Sequence, residues 1–196
     1  MKTQKLILPL NNMRVTAGYK NKNYEKEFPS LGRHYGVDCT STNNSRIVYA
    51  SGQGTVKTAG WDDLFGFVVA INYDNVELRS GKVVENVTIR YFHLHSIKVK
   101  VNQLVTKDTV IATYGTTGRY STAPHLHFEL DVFDGRYYAY SPSTSKSSRI
   151  ILKGIDSTIN PTDCLFVKRS KPDNQFVVRS GYNTVSEDDI NYPILD

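Results

Sequence analysis

The stretch Thr88-Ile89-Arg90-Tyr91-Phe92-His93-Leu94-His95 alternates bulky apolar with polar residues. That is the period-two signature of a strand with one buried face. Segments 54–59, 65–73, 83–92, 110–114 and 125–132 share its character. Each is rich in Val, Ile, Thr, Tyr and Phe and is bounded by Gly, Asn, Asp or Ser. No helical period persists beyond about ten residues, and no repeat of solenoid length appears. The pattern therefore predicts an all-β or strand-dominated class, a single small sandwich-like or barrel-like domain.

Composition narrows the class of molecule. The chain has 196 residues, 39% hydrophobic and 22% charged, which describes a globular protein able to bury its own core. Two cysteines are too few for a disulfide scaffold or a four-cysteine zinc module. The net charge of +5 (24 basic against 19 acidic side chains) suits contact with an anionic polymer. Yet the basic residues are scattered, and Lys168, Arg169 and Lys171 are their densest cluster. There is no basic stripe and no aromatic platform, so nucleic acid is not an expected partner.

No apolar run reaches the ~18–20 residues of a membrane span. The run 6–10 is too short for the core of a signal peptide, and no small-residue cleavage site follows it. The expectation is either that export does not use this route or that the chain is one piece of a larger protein. Asn160-Pro161 reads as a punctuation point. Residues 1–166 are expected to form the domain. Residues 167–196 read as a tail or linker, with a short strand at 176–178, and 141–148 as a Ser-rich surface loop.

The five histidines carry most of the chemistry. His34 stands in His34-Tyr35-Gly36-Val37-Asp38, His93 and His95 form one His-x-His pair, and His125 and His127 form another. Five histidines placed at random rarely give even one such pair. Imidazole is the commonest protein ligand for zinc, so clustering of this kind points to a metal site. On a strand, residues two apart project to one face. His125 and His127 are thus expected together, with Leu126, Phe128 and Leu130 turned to the core. His93 and His95 are likewise expected together, against Phe92 and Leu94.

A catalytic zinc takes three protein ligands and keeps one position open. His34, Asp38 and one histidine of a pair would supply them, with a single carboxylate charge that leaves the ion strongly Lewis-acidic. Cys39, adjacent to Asp38, would point to the opposite face of a strand. Cys164 lies far away and reads as structural.

With these residues in place, the chain resembles the lysostaphin-type (M23) zinc metallopeptidase family, whose members cleave peptide stems or cross-bridges of peptidoglycan. The resemblance rests on His34-Tyr35-Gly36-Val37-Asp38, then Gly52-Gln53-Gly54-Thr55-Val56, then Tyr91-Phe92-His93-Leu94. Gly115-Thr116-Thr117-Gly118, Ser121-Thr122, His125-Leu126-His127-Phe128-Glu129 and Asn160-Pro161 follow in the family's order. It implies His34, Asp38 and His127 as ligands of one Zn2+, and His93 and His125 as catalytic histidines flanking the attacked carbonyl. It also implies a small antiparallel β domain with the ion at the floor of a narrow, loop-walled groove. His95 has no assigned role. Glu129 is expected behind a ligand or at the surface rather than in catalysis. Tyr35 and Tyr120 are expected to pack.

The reading that follows is a zinc-dependent endopeptidase acting on peptidoglycan at the cell wall. A wall hydrolase without an export signal suits a bacteriophage, as an endolysin or in a phage tail, or a domain of a larger secreted enzyme. The alternative is a non-catalytic wall-binding or structural module that keeps its metal site. Glycine cross-bridges and D-Ala stem bonds fit the machinery equally, because groove loops set specificity.

Overall fold

The computed structural model describes residues 2–30, 33–132, 156–168, 177–178 and 194–195. Strand β1 (Leu6–Ile7) is followed by β2 (Met13–Ala17), helix α1 (Lys22–Glu27), β3 (Val37–Ser41) and β4 (Ile47–Tyr49). The long strands come next: β5 (Gly54–Asp62), β6 (Gly66–Glu77) and β7 (Val83–Ile97). Then come β8 (Leu104–Val105), β9 (Val110–Tyr114), β10 (Leu126–Asp131) and β11 (Thr158–Ile159). A 3-10 turn at Pro161–Asp163 leads to β12 (Leu165–Lys168), and β13 (Val177–Val178) and β14 (Ile194–Leu195) follow.

The strand-dominated class is what the structure shows. The main sheet runs β13-β2-β3-β10-β7-β6-β5-β8, with β9 joined to β7 and β4 to β9. Its pairings are antiparallel except for β13 along β2. A small parallel sheet β1-β12-β14 lies apart from it. The expected segment 110–114 coincides with β9, and 125–132 contains β10. The segments 54–59 and 65–73 stop short of β5 and β6, because polar residues near those strand ends carry no alternation, and 83–92 stops short of β7, which runs on to Ile97. Strands β2 and β3 escaped the pattern for a related reason: β3 turns Asp38 and Thr40 away from the core. The Ser-rich stretch 141–148 lies outside the described residues. No helix among the described residues is long and apolar enough to cross a membrane.

The faces of the main sheet differ in chemistry. Val87, Ile89 and Tyr91 of β7, Leu126, Phe128 and Leu130 of β10, and Val37 and Cys39 of β3 all enter one apolar core. Side chains alternate across a strand, so the opposite face of β10 holds His127, Glu129 and Asp131. Across from them β7 sets Phe92, Arg90 and Thr88 in direct register. Every one of these six is buried. The back of the sheet is thus an ordinary hydrophobic core, and the front is a buried polar layer.

One irregularity places the site. On β6, Phe67 pairs with Leu94 and Val69 with Tyr91, so Phe92 and His93 together oppose the single residue Val68. This is a β-bulge, and His93 adopts the left-handed conformation, φ 57°, at a cost of about 1–2 kcal/mol for a residue with a Cβ. Without the bulge His93 would share the core face with Tyr91. With it, Phe92 and His93 both reach the polar face, and Leu94 returns to the core.

Candidate metal centre

Three donor atoms meet on the polar face. Asp38 Oδ1 lies 2.7 Å from His127 Nδ1 and 3.1 Å from His34 Nε2. The two imidazole nitrogens are 3.2 Å apart. All three residues are buried, and among the described residues these donors form a group able to hold a metal ion. Register explains the meeting: β3 and β10 are antiparallel neighbours with Asp38 directly opposite His127. His34 comes from the loop before β3.

The outer side of each ring fixes which atom faces inward. His34 Nδ1 is 2.7 Å from the Gly18 carbonyl, which can only accept, so Nδ1 donates and Nε2 carries a lone pair. His127 Nε2 is 3.2 Å from Glu129 Oε1, a partner for the ring proton whenever Nδ1 is deprotonated. Two lone pairs and a carboxylate oxygen then converge on one point, which repels itself unless a cation occupies it. Donors about 2.0–2.1 Å from a tetrahedral ion also stand at roughly the separations seen here. The donor set therefore fits a divalent metal.

The electrostatics agree. Burial opposes the charge on Asp38, but the charges of His34 and His125 and the hydrogen bonds from His127 and His34 outweigh it. They hold the carboxyl well below its usual range. Burial likewise opposes charge on His127, yet its hydrogen bonds to Asp38 and Glu129, with their negative charges, raise it to about 9. In the absence of metal a proton takes the cation's place.

His93 and His125 stand beside this group, their rings 4.9 Å apart. His93 Nδ1 donates to the Thr117 carbonyl at 2.8 Å and His125 Nδ1 to the Ala123 carbonyl at 2.8 Å. Burial first, then the nearby His125 and His127, push His93 down to about 3. His125 Nε2 is 3.6 Å from Asp38 Oδ1. The structure thus gathers all five residues implied as ligands or catalytic groups.

The expected pairing of His93 with His95 is corrected. His95 is exposed and lies against Gly115, outside the cleft. Phe92, expected in the core beside Leu94, instead shares the polar face with Arg90 and faces the site, and the bulge that follows it returns Leu94 to the core. The two adjacent apolar residues Tyr91-Phe92 break the polar–apolar order in the sequence itself. That break was the available signal. Cys39 and Cys164 are buried in the apolar core, Cys39 on the face of β3 opposite to Asp38.

Glu129 is buried behind His127 rather than at the surface. Gly36 explains the spacing of the first motif: a Cβ there would sit 2.7 Å from His127 Nε2 and collide with the Phe128 carbonyl. Sequence reasoning missed Tyr24, whose ring lies against His34 at 4.4 Å, tilted by 32°, and helps line the cleft with Phe65 and Tyr120. It rides on α1, whose first turn is capped by Asn21 through bonds from the Asn23 and Tyr24 amides. Six residues form too short a helix to announce itself by periodicity.

Comparison with known proteins gives consistent matches. A family model described as Peptidase family M23 matches residues 32–139, more than half of the chain. The peptidoglycan DD-endopeptidase ShyB of Vibrio cholerae is 34% identical over 120 residues, 60% of this chain and 25% of that protein. Lysostaphin of Staphylococcus simulans is 33% identical over 138 residues, 67% of this chain and 24% of its own. The chain therefore spans about a quarter of the length of these curated relatives. Among solved structures, a zinc-containing peptidase from Vibrio cholerae shares 32% identity with a TM-score of 0.51. That match covers 65% of this chain and 36% of the other.

Proposed function

Because the chain belongs to peptidase family M23, we propose that it is a zinc-dependent endopeptidase that hydrolyses peptide bonds in the stems or cross-bridges of peptidoglycan. The observation that carries this reading is the convergence of Asp38 Oδ1, His34 Nε2 and His127 Nδ1 within 3.2 Å of one another, flanked by two further imidazoles. The named activity of the ShyB relative supports the substrate class.

In this reading His34, Asp38 and His127 hold the ion. When bound, the ion supplies Lewis acidity, polarising a carbonyl and lowering the pKa of water at its open position. The remaining steps belong to the side chains. His93 and His125 have each committed Nδ1–H to a backbone carbonyl, which leaves Nε2 as the proton acceptor. Burial keeps the His93 ring neutral, so its Nε2 lone pair is open to a hydrogen bond from the attacking water. Once protonated, either ring becomes a donor to the oxyanion that develops on the scissile carbonyl. Phe65 and Tyr120, which meet edge to face at 5.7 Å, wall the cleft beside His93 and limit water there.

Residues 1–166 then act as the catalytic domain at the cell wall, and 167–196 as an appended tail. Two short pieces of that tail lie along β2 and β12.

The test is product release from purified peptidoglycan, read by mass spectrometry. New amino termini are expected, abolished by EDTA and restored by zinc. Asp38→Ala should lose both metal and activity, and His125→Ala should keep the metal and lose rate. Undigested wall in the presence of zinc-loaded protein would overturn the reading.

A further inference from the structure

Behind His127 the polar face buries three charged side chains. Arg90, Glu129 and Asp131 are 0%, 2% and 0% exposed. Arg90 Nε donates to Glu129 Oε2 at 3.1 Å, and Nη1 donates to Asp131 Oδ2 at 3.0 Å. The second oxygen of each carboxylate points elsewhere. Asp131 Oδ1 accepts from Ser157 Oγ at 2.6 Å. Glu129 Oε1 faces His127 Nε2 at 3.2 Å.

One buried carboxylate is enough to neutralise one guanidinium, and a second adds desolvation cost without balancing a further charge on Arg90. Asp131 has a hydroxyl to meet its remaining oxygen. Glu129 has only the imidazole. We propose that Glu129 is a positioning residue for the metal, holding the His127 proton on Nε2 so that Nδ1 faces the ion, and that Arg90 fixes the Glu129 carboxylate for this task. The inference rests on the reading that His34, Asp38 and His127 hold a divalent ion.

The need for such a residue is local. Asp38 lies 2.7 Å from His127 Nδ1 and pulls a ring proton to the side where the ion must bind. Glu129 pulls from the other side. A ligating imidazole whose far nitrogen donates to a carboxylate has its tautomer and orientation set, and its basicity raised.

Substitution Glu129→Gln sharpens the point. Its amide has one oxygen, which can accept from Arg90 Nε or from His127 Nε2, but not both. With the oxygen on Arg90, the amide NH2 faces Nε2 and favours the proton on Nδ1, the tautomer that excludes the ion. Asp131→Asn removes the same charge from the same guanidinium without touching His127.

The experiment measures zinc affinity of the full chain by competition with a chromogenic chelator. It also reads the His127 tautomer in the zinc-loaded wild type by long-range 1H–15N spectra. Glu129→Gln should weaken zinc binding by about 10–100-fold. Asp131→Asn should bind close to wild type even where it lowers the melting temperature. The wild-type spectrum should show Nε2–H. Equal weakening in both variants, or wild-type affinity in Glu129→Gln, overturns the proposal. If Glu129→Gln does not fold, the spectrum decides: a proton on His127 Nδ1 overturns it. Wild-type protein that takes up no zinc overturns the metal reading first, and this proposal with it.

Discussion

The Phe92 ring lies flat on the His127 imidazole, with 5.4 Å between centroids and planes 12° apart. Phe92 alternates with Tyr91 along β7 and so shares the polar face with Arg90, directly opposite His127. It clamps one face of His127, while Glu129 and Asp38 hold its two nitrogens.

Phe92→Ala should therefore cost both stability and metal. Truncating a buried phenylalanine loses about 3–5 kcal/mol, read as a lower midpoint in urea. Phe92→Leu keeps most of the volume and should fold, yet bind zinc more weakly than wild type. Unchanged affinity in Phe92→Leu would show that the ring fills space and does not orient the ligand.

Zinc binding should depend on pH with a definite sign. In the metal-free protein the His127 pKa is raised to about 9, so below pH 9 a proton must leave before the ion enters. Apparent affinity should rise about tenfold per pH unit between pH 7 and 8.5 and then level off. Calorimetry in buffers of different ionisation enthalpy should count about one proton released per zinc at pH 7.5. The same raised pKa stabilises the metal-free fold fully below the unfolded value near 6.5, a contribution lost as pH rises through about 9. Binding without proton release would refute the shared Asp38–His127 proton.

Gly36→Ala tests the close passage of the first motif beneath His127. The added Cβ meets backbone at Phe128 and the imidazole at His127, so β3 and β10 must separate. The expected result is zinc binding weakened by more than tenfold with the β-rich circular dichroism retained. A variant with wild-type affinity would mean that the strands yield without moving the ligand.

His93 carries a backbone burden as well as a chemical one. Asn tolerates the left-handed conformation and a β-branched residue does not. His93→Asn should fold like wild type and lose turnover. His93→Val should lose turnover and a further ~1–2 kcal/mol of stability. Equal denaturation midpoints for the two would argue that the φ of 57° is not held in solution.

Much of this protein was legible in the chain itself. Alternation over 83–92 and 125–132 announced the two central strands, because side-chain period and burial are set locally. The motif spacing brought out His34, Asp38 and the His-x-His pairs, since residues two apart on a strand share a face, and the family resemblance singled out His127 from its pair. What the sequence could not decide was which nitrogen faces the ion, and which neighbours enforce it. His93 reaches the site only through a bulge defined by pairing with β6. Arg90 meets Glu129 only because β7 and β10 share a register. Tyr24 covers His34 from a helix too short to show a period. Those relationships join residues some ten to ninety positions apart, and their geometry is fixed by strand register, a property of the assembled sheet rather than of any one segment.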